Sequence, residues 1–147
     1  MSDVAASPSE LVKAGIARLC TDFTARIAPF GFARTNSRSR EWRAQMPGHI
    51  RSIYFHRMGS TYGAPRNRSV DIRVHFSVRP DNGSTARHDA LISDKLRDDR
   101  GYAYHLRFNA LSGSTYDRCL DDLLRVTRDH GIPWFEKHGS NPSLERP

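Results

Sequence analysis

The sequence predicts an α+β fold: a mostly antiparallel sheet of about five strands, one face covered by N-terminal and C-terminal helices. Three observations carry this. Apolar residues recur at three- and four-residue spacing near the start of the chain and again around residue 120. Between these stretches the apolar period changes to two. The period-two segments are joined mostly by short turn-forming stretches, which imply antiparallel neighbours. Clean alternation also implies that the uncovered face meets water.

Taken in order, residues 1–6 read as a loose tail. "SPSE" then opens a helix: Ser7 can cap it, Pro8 suits its first position and Glu10 closes a capping box. Val12, Ile16, Leu19 or Cys20, Phe23 and Ile27 form its apolar stripe, and Pro29 with Gly31 ends it. "FARTNSR" and "REWRAQM" read as a hairpin with "NSRS" as its turn, followed by "IRSIYFHRM" after Pro47-Gly48. "SVDIRVHFSVR" is the clearest strand and stops at the turn-forming "PDNG". A long loop, "GSTYGAPRNR", joins these last two strands.

Residues 84–98 read as weakly helical, and "GYAYHLRFNAL" as a further strand with Tyr102, Tyr104, Leu106 and Phe108 on one side. The second strong helix lies in "SGSTYDRCLDDLLRVTRDHG". Ser114 is its candidate cap, with Asp117 three residues on, and Tyr116, Leu120, Leu123, Leu124 and Thr127 form its buried side. Gly131 is expected to end it and Pro133 to prevent its continuation. Trp134 and Phe135 should dock back on the core. Residues 139–147 read as a second tail, and 1–147 as a single domain with no repeat and no linker.

This order of elements resembles the small bacterial proteins catalogued as domain of unknown function 4304. The likeness rests on "PFGF" after the first helix, an arginine-rich hairpin around Trp42, the paired "IYFHR" and "DIRVHFSV" strands, and the closing "IPWFEKHG". It spans roughly residues 10–138. The resemblance implies an α+β fold and carries no catalytic residues with it.

The chain has 147 residues, is 37% hydrophobic and 10% aromatic, and so can bury a real core. No apolar run approaches a membrane span. "MSDVAASPSE" has neither a basic nor an apolar leader region, so a bacterial-type cytoplasmic location is expected. Cys20 and Cys119 then read as free buried thiols.

Net charge is +7, and its placement is uneven. Residues 31–79 carry ten arginines against Glu41 and Asp71, while the flanking segments are close to neutral. Some of the arginine reflects composition alone, since Arg far outnumbers Lys throughout.

If Trp42, Ile53 and Phe55 face the core, then Arg43, Tyr54, His56, Arg73, His75 and Arg79 share the open face. Arg66 and Arg68 of the long loop are expected to act with them. Together these eight residues are the candidate partner-binding set. The leading expectation is a non-enzymatic protein that holds an acidic protein partner, in an immunity-type or regulatory role. The alternative is nucleic-acid binding by the same face, through phosphate contacts and base stacking.

An enzyme acting on an anionic small molecule is the third reading. It requires Asp71, Arg73, His75 and Arg66 to converge in one pocket. The long loop lacks the Gly-Lys-Ser/Thr of a P-loop, no G-x-S-x-G elbow is present, and the seven histidines form no metal-binding spacing. The sequence therefore predicts no cofactor, no metal and no catalytic set.

Overall fold

The computed structural model describes residues 7–58, 69–82 and 89–139. Its elements run α1 (Pro8–Ile27), β1 (Ala33–Arg34), β2 (Glu41–Met46), β3 (His49–Met58), β4 (Ser69–Pro80), β5 (Asp89–Ile92), β6 (Arg107–Asn109), α2 (Tyr116–Val126) and α3 (Ile132–Gly139). The fold is α+β. The sheet is antiparallel in the order β1-β2-β3-β4-β5, with β6 also paired to β4.

The first helix forms as its sequence dictates. The Ser7 hydroxyl accepts from the Glu10 amide, and the Glu10 carboxylate accepts from the Ser7 amide. Its buried residues are Val12, Ile16, Leu19, Cys20, Phe23 and Ile27. Phe23 meets Trp42 of β2 at 4.8 Å and Phe55 of β3 at 4.7 Å between ring centroids. Trp42 Nε1 donates to Thr24 Oγ1 (2.9 Å), whose own hydroxyl donates back to the Cys20 carbonyl (2.7 Å). A helical threonine bonded in this way leaves no polar atom of the indole unpaired in the core.

Register fixes which residues share a face. Ile53 lies opposite Phe76 and Phe55 opposite Val74, all four buried. On the other face Tyr54 lies opposite His75, and His56 opposite Arg73. β4 supplies the whole alternation: Val70, Ile72, Val74, Phe76 and Val78 are buried, and the residues between them are not. α1 and α3 lie on the buried face.

The structure departs from the sequence expectations in several places. The 84–98 stretch is not a helix where it is described: Asp89–Ile92 is β5, and Ser93–Lys95 is one 3₁₀ turn. Leu91 there pairs with Phe76 on the core side, so the outer edge of β4 claims this segment as a strand. The expected strand at 101–111 shortens to Arg107–Asn109. Its first half is held instead by carboxylates. Asp98 accepts the amides of Arg100 and Tyr102 (both 2.9 Å), and the buried Asp122 accepts the His105 amide (2.6 Å). Tyr104 and Phe108 are buried as expected, but Tyr102 is 66% exposed. β1 is likewise only two residues long, because the Asn36 side chain accepts the Arg38 amide and turns the chain early.

At α2 the cap is Thr115, at φ +64°, and not Ser114. Neither Gly131 nor Pro133 stops the helix. α2 runs through a π turn, Thr127–Gly131, straight into α3. The wider i→i+5 turn accommodates a proline that lacks an amide hydrogen. Gly131 serves close approach: a Cβ there would lie 2.5 Å from Phe76 Cε1. Beyond it, Phe135 is fully buried and packs on Phe32 and Phe76, while Trp134 packs at the core margin. Both cysteines are buried free thiols, and burial pushes the Cys119 thiol up to about 12.

Gly131→Ala should therefore lower unfolding free energy by about 1–3 kcal/mol in urea titration, the cost of forcing a methyl group into a packed core. Tyr104 and Tyr116 should titrate late. Burial, then the Asp22 carboxylate to which it donates, raises the Tyr116 phenol. Burial and Asp129 raise Tyr104 to about 12. A phenol raised in the fold stabilises fully below its unfolded value near 10, and that stability is lost as pH climbs through the folded value. In an alkaline absorbance titration Tyr104 and Tyr116 should ionise late, together with unfolding, and Asp22→Asn should bring Tyr116 forward.

Candidate functional site

The open face of the sheet is the candidate site. The same parity that buries Trp42, Ile53, Phe55 and Phe76 turns Glu41 and Arg43 of β2, Tyr54 and His56 of β3, and Arg73, His75 and Arg79 of β4 outward. The structure thus brings six of the eight predicted residues onto one surface: Arg43, Tyr54, His56, Arg73, His75 and Arg79. Arg66 and Arg68 lie outside the described residues.

At the centre of the face is a cleft of about 320 Å³, lined by Glu41, Ser52, Tyr54, His56, His75 and Ser77. Cross-strand pairing builds it. Glu41, Tyr54, His75 and Ile92 form one row across four strands. Ser52 and Ser77 face each other in the next row, and their small side chains leave the depth. Tyr54 is 41% exposed and meets the His75 ring edge-on at 6.0 Å between centroids. His56 meets the same ring at 6.2 Å, again edge-on. The cleft therefore offers three hydroxyls, two imidazoles and one carboxylate.

The arginines around it are not equivalent. Arg43 is held by Glu41 (Nε–Oε2 3.2 Å) and Arg73 by Asp94 (Nε–Oδ1 2.8 Å). Arg79, and Arg107 opposite Asp71, make no ion pair among the described residues. Arginines and carboxylates thus share the face, with Asp81 at its Arg79 end held by Gln45 (2.8 Å).

Two further arginines of the basic segment turn the other way. Arg51 and Arg57 lie on the core-facing side of β3, opposite Val78 and Ile72. Each has a buried Nε without a hydrogen-bond partner among the described residues, and burial lowers both guanidinium pKa values. They do not add to the open face.

The three catalytic candidates within the described residues do not converge. His75 lines the central cleft. Asp71 lines a different one, of about 310 Å³, between β4, the Ser93–Leu96 segment and β6. Arg73 is held by Asp94 at the rim between them. That second cleft marks a gap in the outer edge of β4, between its pairing to β6 and its pairing to β5. The gap is closed by the Leu106 carbonyl, which accepts the Ile72 amide (2.8 Å), and by the Ser93 hydroxyl, which accepts the Val74 amide (2.9 Å).

Among the described residues no group of three or more His, Cys, Asp or Glu side chains could hold a metal ion. His138 stacks on Trp134 at 4.7 Å, and His130 Nε2 lies 2.8 Å from the Arg97 carbonyl. No helix among the described residues is long and apolar enough to cross a membrane.

No protein-family model matches the chain, and neither a curated protein nor a solved structure matches it.

Sequence reasoning overlooked Glu41, Ser52, Ser77, Ile92 and Asp94. The alternation that exposes Arg43 also exposes Glu41, two residues away, so that pair was legible. Asp94 was hidden by reading its segment as a helix. Because the site residues project from a sheet surface away from the core, Arg43→Gln, Tyr54→Ala and Arg79→Gln should each change stability by no more than about 0.5–1 kcal/mol in urea unfolding.

Proposed function

We propose that this is a non-enzymatic binding protein of immunity or regulatory type that holds an acidic protein partner against the open face of its sheet. The observation that carries the reading is the arrangement of that face. An exposed tyrosine sits at the centre beside a cleft, arginines lie around it, and Ile92 extends the row at 40% exposure. Aromatic residues and arginine are enriched at protein interfaces, where a few central residues carry most of the energy.

The two ion pairs orient Arg43 and Arg73 across the surface. Arg79 and Arg107 remain for an incoming carboxylate, and complementary charge of this kind sets partner choice and approach rate. The separation of Asp71 from the His75 cleft argues against one catalytic centre. Buried free thiols accord with a cytoplasmic setting. The likeness to domain of unknown function 4304 belongs to the same proposal and adds no chemistry.

Nucleic-acid binding would use the same arginines, with Tyr54 as a stacking platform. Glu41, Asp71 and Asp94 lie among them, and a continuous phosphate backbone would meet those carboxylates as like charges. A protein partner can place its acids selectively, so it is favoured.

The test is affinity capture from host lysate with and without nuclease, comparing wild type with the double variant Tyr54→Ala/Arg79→Glu. The expected result is one stoichiometric protein that survives nuclease and moderate salt. The double variant should bind it at least about tenfold more weakly, a loss of about 1.4 kcal/mol. Binding abolished by nuclease and falling steeply with salt would replace this reading with the nucleic-acid one.

A further inference from the structure

Two imidazoles line the central cleft of the open face. His56 and His75 stand 6.2 Å apart on adjacent strands. Imidazole is the side chain whose ordinary titration falls between pH 5 and 8. With both protonated, the formal charge of the face rises by two.

Charged and polar groups face this pair from each neighbouring element. From β2 come Glu41 and Arg43, already bonded to each other. From β3 comes the Tyr54 phenol beside His75. From β4 come Arg73, directly opposite His56, and Asp71 two residues before it. From the turn after β5 comes Asp94, committed to Arg73. Among the described residues, Glu41 and Asp94 are thus already occupied by arginine, and Arg73 stands opposite His56. Two imidazolium ions here repel each other and Arg73, and an incoming anion relieves that repulsion. The hydroxyls of Ser52, Ser77 and Tyr54 line the same cleft as donors.

Resting on the partner-binding reading above, we propose that this cleft is the carboxylate-accepting subsite of the interface. It takes an Asp or Glu side chain of the partner between His56 and His75, and it takes up protons as it does so. Binding to an acidic partner then tightens on acidification, as long as the partner's carboxylates stay ionised.

The experiment uses the full chain and a hexaglutamate peptide, with hexaglutamine as control, in isothermal titration at about pH 8 and about pH 6. Glutamate, with an ordinary value near 4.3, is ionised at both. Wild type should bind about tenfold tighter at the lower pH. Near neutrality, titrations in two buffers of different ionisation enthalpy should show net proton uptake, and the imidazole resonances of His56 and His75 should shift on addition of peptide. His56→Asn/His75→Asn, with melting unchanged, should bind with one and the same affinity at both pH values and without proton uptake. Equal affinity at the two pH values in wild type, or a pH dependence that persists in the double variant, would overturn the subsite while leaving an acid-binding face in place. Hexaglutamate that binds at neither pH would overturn both the subsite and the acidic-partner reading beneath it.

Discussion

The fold depends on the contact of Phe23, Trp42 and Phe55. These three rings join α1 to β2 and β3 at the middle of the core, at centroid separations of 4.6–4.8 Å. The Trp42–Thr24 hydrogen bond fixes the indole's orientation as well as its depth. Because side chains alternate along a strand, burying Trp42 and Phe55 settles the direction of every neighbour on β2 and β3. A slip of one residue would bury Arg43, Tyr54 and His56 and expose the aromatic core. The polar surface is therefore specified by the apolar one: each outward residue is placed by the ring that points the other way.

The same alternation explains why the basic segment does not make a uniformly basic surface. Parity sends Arg43, Arg73 and Arg79 outward and Arg51 and Arg57 toward the core margin. There the two long side chains lie with their Nε atoms out of water. Carboxylates then take hold of two of the outward arginines, Glu41 from the same strand and Asp94 from the turn after β5. What remains is a surface of mixed sign.

Much of this was legible in the residues. α1 was readable to its cap, because Ser7-Pro8 and Glu10 are local signals and its stripe has a single period. β2, β3 and β4 were readable because alternation there is clean, and six site residues followed from it. The region from 89 to 111 was not. Its short strands exist because β4 presents an outer edge that needs partners, and its irregular stretch because Asp98 and Asp122 hold backbone amides that no periodic pattern marks. Gly131 and Pro133 carry the ordinary signature of a helix end, yet the chain needs Phe135 beside Phe76, and a wide turn delivers it there. The cleft was half legible: its imidazoles and phenol follow from parity, but its depth comes from Ser52 and Ser77, two small side chains that a search for reactive groups passes over.

The lengths of the outermost strands have a bearing on how the molecule behaves in a crowded solution. β1 is two residues long at one side of the sheet, and β5 and β6 are four and three residues at the other, while the long strands β3 and β4 lie between neighbours. A stretch of unpaired backbone is what lets one sheet template onto another, and among the described residues the outermost strands themselves offer little of it. The molecule can thus leave one broad face of its sheet wet without inviting its own copies to zip along its sides. The side chains of that face can then be substituted without exposing new backbone to pairing.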